Sequence, residues 1–177
     1  MKKICLFIAF ILVVSLLFTA CGKGGDDVSE PESAAASEEP SAEADTIEVR
    51  AHGIKLTVPK TYNVIQGETV YAVSPYGTDN FSIVAATGSL DDFTRNNMTA
   101  ALQTAFDFDS FTSYEKTEVN GTPAVVYSFE TVVNGVQLYL KQLNVQVGET
   151  VGSVTYCLTD VANIEEFENV LRTVTLE

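Results

Sequence analysis

Residues 112–158 read TSYEKTEVNGTPAVVYSFETVVNGVQLYLKQLNVQVGETVGSVTYCL, and their punctuation decides the fold. Asn120-Gly121 and Asn134-Gly135 are the strongest short hairpin signals, because both central residues of a type I′ turn need positive φ. Gly148-Glu149 marks a third turn. Four strands follow, over Thr112–Val119, Ala124–Val133, Val136–Val147 and Val151–Leu158, arranged as an antiparallel meander. In the third, one face presents Tyr139, Leu143, Val145 and Val147. The other presents Val136, Leu138 and Leu140 before turning polar at Gln142, Asn144 and Gln146. Apolar residues on both faces near its start call for cover on both sides, which a helix on each face would supply.

Working outward, Ser89 reads as a helix N-cap with Asp92 three residues on. Leu90, Phe93, Met98, Ala101, Leu102 and Ala105 then share one helical face. Downstream, Asn163 and Glu166 have the spacing of a capping box, ahead of a face formed by Ile164, Phe167, Val170, Leu171 and Val174. Near the start, Ile47, Val49 and Ala51 alternate with polar residues. Ile54, Leu56 and Val58 do the same after Gly53, until Pro59. Val70–Val73 and Phe81–Ala86 form a further hairpin across Ser74-Pro75-Tyr76-Gly77. The expected fold class is α+β, an antiparallel β-sheet with helices packed on both faces. It occupies residues 46–177, about the size of one ordinary domain.

The N-terminus has a different character. Lys2 and Lys3 precede an apolar run from Ile4 to Phe18 of about 15 residues, the length of a signal peptide rather than of a membrane span. Leu17-Phe18-Thr19-Ala20-Cys21 resembles the lipobox of bacterial lipoproteins, with Phe18 where that pattern usually has leucine. The resemblance implies cleavage of residues 1–20 and a diacylglyceryl group on the Cys21 thiol, and two acyl chains hold a protein stably in a membrane. Residues 21–45 are rich in Gly, Ser, Ala, Pro, Glu and Asp, so they are expected to form a disordered linker. From residue 22 that linker sets Lys23 against eight acidic residues, and self-repulsion extends it.

A chain starting at Cys21 has 8 basic and 24 acidic residues, a side-chain charge of −16. Nucleic-acid binding is excluded without a basic patch, and none is present. His52 is the only histidine, which excludes a histidine triad and a multi-histidine metal site. After processing Cys157 stands alone, so no intrachain disulfide can form. It reads as a small buried thiol, the alternatives being a nucleophile or an intermolecular disulfide. Asp91-Asp92 reads as a complement to a helix dipole, the alternative being a carboxylate pair. Asp107-Phe108-Asp109-Ser110 lacks the glycine and closing glutamate of a calcium loop. Asn80-Phe81-Ser82, Asn97-Met98-Thr99 and Asn120-Gly121-Thr122 fit the glycosylation pattern, which a bacterial lipoprotein gives no reason to use. Tyr127, Tyr139 and Tyr156 read as packing residues. No catalytic, metal or cofactor site is assigned, and no ligand-binding residue is identified.

The order of elements resembles the PsbP-like fold of photosystem subunits and many bacterial lipoproteins, an α/β/α sandwich. Carrying the resemblance are Gly53-Ile54-Lys55-Leu56-Thr57-Val58-Pro59, then Val119-Asn120-Gly121-Thr122-Pro123-Ala124 leading to Tyr127 and Phe129, and Phe167 to Val174. It implies a small accessory or binding module with no shared catalytic set. The expected role is a non-enzymatic, extracytoplasmic binding or assembly module, anchored to the cell membrane through Cys21 and meeting an unidentified protein partner in the envelope. The alternative is a carboxylate-dependent hydrolase acting on cell-envelope polymer, which needs two acids converging in a cleft. A solute receptor ranks last, because one compact domain lacks two closing lobes.

Overall fold

The structure is a computed structural model that describes residues 45–177. The signal peptide expected over residues 1–20, the lipidated Cys21, and all but the last residue of the linker expected over 21–45 lie outside the described residues. In chain order the strands are β1 (Thr46–Ala51), β2 (Ile54–Pro59), β3 (Asn63–Ile65), β4 (Val70–Val73), β5 (Asn80–Thr87), β6 (Phe111–Val119), β7 (Thr122–Val133), β8 (Val136–Val147), β9 (Thr150–Leu158) and β10 (Thr175–Leu176). Helix α1 (Arg95–Ala105) lies between β5 and β6, and α2 (Ile164–Leu171) follows β9.

The turns form as their chemistry requires. Asn120 and Gly121 have φ of 50° and 77°, and Asn134 and Gly135 have 52° and 79°. The hairpins they close pair Ser113 with Ser128 through to Val119 with Thr122, and Ala124 with Val145 through to Val133 with Val136, and β8 continues onto β9. This is the expected meander. Strand β9 then pairs with β5 from Thr150 to Cys157, and the hairpin of β5 with β4 is also as expected, giving a sheet in the order β3-β4-β5-β9-β8-β7-β6.

Helices on both faces of one sheet are not what covers it. Of the described residues 53% lie in strands and 19% in helices, and there are two antiparallel sheets. The second sheet, in the order β1-β2-β10, lies with α2 over one face of the seven-stranded sheet. The reason is the alternation of β2, whose Ile54, Leu56 and Val58 are fully buried while Lys55 and Thr57 are not. Such a strand buries one side and hydrogen-bonds at its edges, so it makes a covering layer of its own. The layers approach closely at Gly152, where a Cβ would stand 2.5 Å from Ile54 Cδ1. Strand content therefore replaces helix on that side.

Over the opposite face lies the connection of residues 88–111, and much of its cover is aromatic. Phe93, Phe108 and Phe111 are buried there with Tyr127 and Phe129, while α1 adds Met98 and Leu102. The helix expected from Ser89 is interrupted. Ser89 caps only a 3₁₀ turn, Leu90–Asp92, by accepting from the Asp91 N–H, and α1 begins afresh with Thr94 accepting from the Asn97 N–H. Turning Phe93 into the core breaks the helical run, and Thr94 supplies a second cap.

Helix α2 fastens the two sheets together. Phe167 is fully buried, stacked on Phe81 with ring centroids 4.8 Å apart, edge-on to Tyr156 at 5.8 Å and tilted against Tyr62 at 6.0 Å. The expected capping box is absent. Asn163 makes no side-chain cap and instead donates to Asp79 at 3.4 Å, while Glu166 accepts from the Tyr62 hydroxyl at 2.8 Å. Ile164 is exposed, whereas Phe167, Val170, Leu171 and Val174 are buried as expected.

Candidate functional site

Where α2 ends, it leaves part of the sheet uncovered. Side chains of β6, β7 and β8 form the floor of an open groove of about 600 Å³, with the last turn of α2 and β10 as its lip. Val126, Leu143 and Leu171 make its apolar part, and Thr117, Glu118, Lys141, Glu168, Arg172 and Thr175 make its polar part. Topology creates the site. The second sheet and α2 cover the middle of the large sheet, and β6 lies at its far edge.

One charge constellation is fixed within the groove. Lys141 Nζ donates to both oxygens of Glu168 at 2.7 and 2.8 Å, and the Tyr156 hydroxyl donates to Oε1 at 2.6 Å. Burial alone would raise the Glu168 carboxyl. Donation from Lys141 and Tyr156 outweighs it and holds the group below its ordinary value of 4.5. Burial, reinforced by the bond to Glu168, pushes the Tyr156 phenol well above its usual range. This carboxylate is therefore charged and fully engaged at neutral pH. Thr175 also lines the groove, and its hydroxyl oxygen is buried with no hydrogen-bond partner among the described residues.

Polar residues of the opposite face are also internal. Gln142 and Asn144 are buried, with Gln142 Nε2 donating to Asn144 Oδ1 at 2.6 Å and Ser153 Oγ donating to the same oxygen at 2.8 Å. Asn144 Nδ2 reaches the Val125 carbonyl at 3.3 Å, and Tyr127 is buried alongside with its phenol raised by burial. Each polar group has a partner, so the network can stay dry.

The residues weighed from sequence are not brought together. His52 is exposed at a turn with φ of 55°, its Nε2 3.0 Å from the Glu68 carbonyl oxygen. Cys157 is a buried thiol, as expected, and burial pushes it up to about 12, with Asp79 adding to the effect. Asp91, Asp92, Asp107 and Asp109 are all exposed, and none lines the groove. Among the described residues no three His, Cys, Asp or Glu side chains stand close enough to hold a metal ion. Tyr127 and Tyr156 are buried, and Tyr139 packs partly buried against the larger core. Sequence reasoning missed Asp79. It is 1% exposed and accepts from the Thr159 N–H and hydroxyl at 2.7 and 2.8 Å, tying the β4–β5 turn to the end of β9. The groove was missed as well, because its lining runs from residue 117 to 175 without a motif.

Two antiparallel sheets, the smaller lying with the closing helix over one face of the larger, are the architecture in which this chain resembles known structures. The chain is similar to the solution structure of cyanobacterial PsbP (CyanoP) from Synechocystis, with a TM-score of 0.57 over 80% of this chain and 98% of that chain at 9% identity. LpqN, involved in cell envelope biogenesis of Mycobacterium tuberculosis, aligns with a TM-score of 0.49 over 74% of this chain and 90% of that chain, at 17% identity. No family model matches the sequence, and no curated protein matches it. Likeness at these identities is one of fold. Among the described residues no helix is long and apolar enough to cross a membrane.

Proposed function

We propose that the protein is a tethered, extracytoplasmic binding or assembly module of the cell envelope, without chemistry of its own. Residues 1–20 direct export, Cys21 carries the lipid, residues 21–45 hold the body off the surface, and residues 46–177 present the groove to a protein partner. The observation that supports a binding role is the state of Glu168. A general acid requires a raised carboxyl, and this one is held low by Lys141 and Tyr156. The hydrolase reading is disfavoured: Asp91, Asp107 and Asp109 are each exposed away from the groove, and of the two carboxyls that do line it, Glu118 and Glu168, the second is taken up by Lys141 and Tyr156, which leaves no free pair to act on a glycosidic bond.

The test places a photo-cross-linking residue at Arg172 or Thr175 on the groove lip, and at exposed Glu149 as a control, in the full chain in its native membranes. The expected result is the same protein adduct from both lip positions and none from Glu149. Equal capture at all three would contradict the reading. So would turnover of an envelope polymer by the purified chain that is lost on removing a carboxylate pair.

A further inference from the structure

Strand β6 is the free edge of the seven-stranded sheet. We propose that it is a self-association surface, pairing antiparallel with β6 of a second copy about a two-fold axis through Thr117. Register and charge select this pairing. A two-fold perpendicular to a sheet pairs residues that share a face, so β6 can meet itself only with a single residue on the axis. Centred on Glu115 or Lys116, the strand would oppose like charges, which is destabilising. Centred on Thr117, it places Thr117 against Thr117, Glu115 against Val119, and Lys116 against Glu118 twice over.

Lys116 and Glu118 are exposed, and neither forms an ion pair among the described residues. They are thus available to a second copy. The stretch also avoids the irregular part of the edge, since the register shift in β6 lies between Phe111 and Ser113 and Arg95 stands over the rings of Phe111 and Tyr114. Other edges are less suited. Strands β3 and β10 have three and two residues. Strand β1 could align Glu48 with Arg50 in the same way, but those side chains are already committed to each other, to Lys55 and to Glu177. Pairing through Thr117 also sets the two grooves side by side, because Thr117, Glu118 and Val119 line them. A partner of the groove would then meet a doubled surface.

The test uses the full chain, recovered from whichever fraction holds it, carrying Thr117→Cys, Glu115→Cys or Ser113→Cys and oxidised under mild conditions. The parent chain measures the background from its own cysteines. Residues facing each other across the axis lie within disulfide reach, whereas position 115 meets its own copy about 13 Å away. Dimer should form at Thr117→Cys and remain at background at the other two. Adding Lys116→Glu should reduce the Thr117→Cys dimer at least about tenfold, since both cross-strand pairs become repulsive, and Lys116→Glu with Glu118→Lys should restore it. Cross-linking no greater at position 117 than at 115, or a double reversal no better than the single one, would overturn the proposal.

Discussion

Replacing Phe167 by alanine tests whether α2 fastens the two sheets. The side chain is fully buried and contacts Phe81 and Tyr156, cross-strand partners in the large sheet, and Tyr62, which follows β2 of the small one. Removing a buried phenylalanine costs about 3–5 kcal/mol in lost transfer energy and cavity. Loss of the stacked pair with Phe81 favours the upper half of that range. A chain with about 130 ordered residues has an unfolding entropy near 0.28 kcal/mol/K, so about 4 kcal/mol lowers Tm by roughly 14 °C. Thermal unfolding followed by circular dichroism reads this directly, with exposed Ile164→Ala as the control from the same helix, expected within about 3 °C of the parent. A Phe167→Ala shift no larger than that of Ile164→Ala would refute the claim that this residue joins the layers.

Three further outcomes follow from the groove and the core. Lys141→Met leaves Glu168 with Tyr156 alone and should cost about 1–2 kcal/mol at neutral pH, discounted because both side chains are partly exposed. The depressed Glu168 carboxyl contributes stability above 4.5 that is lost as pH falls below it, so the Tm gap between parent and variant should close on acidification; a constant gap would contradict the assignment. Thr175→Val removes a buried hydroxyl that has no partner among the described residues, and should leave Tm unchanged or raise it by the equivalent of about 1 kcal/mol; a clear loss of stability would show that the hydroxyl is satisfied. Cys157, buried and with its thiol at about 12, should resist alkylation at pH 8 until the chain unfolds, as judged by mass of the peptide containing it. Rapid native labelling would contradict the packing.

What could be read from the sequence was local. Asn120-Gly121 and Asn134-Gly135 specify their own backbone, so two of the meander's three hairpins follow from four residues. Alternation in Ile54, Leu56 and Val58 announced a half-buried strand, yet nothing nearby said that this strand would join Leu176, far along the chain, in a separate covering sheet. From sequence alone, helices are therefore the expected cover for both faces. Phe93 shows a similar limit: it fits a helical face by spacing, but tertiary burial draws it out of the helix and moves the start to Arg95. Gln142 and Asn144 looked like the point where a face turns outward. They are internal because Ser153 and the Val125 carbonyl, supplied by neighbouring strands, complete their hydrogen bonds. Glu168, Lys141 and Tyr156 come from three elements, so their convergence could not be read from spacing.

The tether is the premise on which the proposed role stands, and the mass of the native N-terminal peptide tests it most directly. Protein isolated from the membrane fraction should begin at Cys21 and carry two or three acyl chains on that residue. An N-terminus elsewhere, or an unmodified Cys21 in protein recovered from the soluble fraction, would contradict the account.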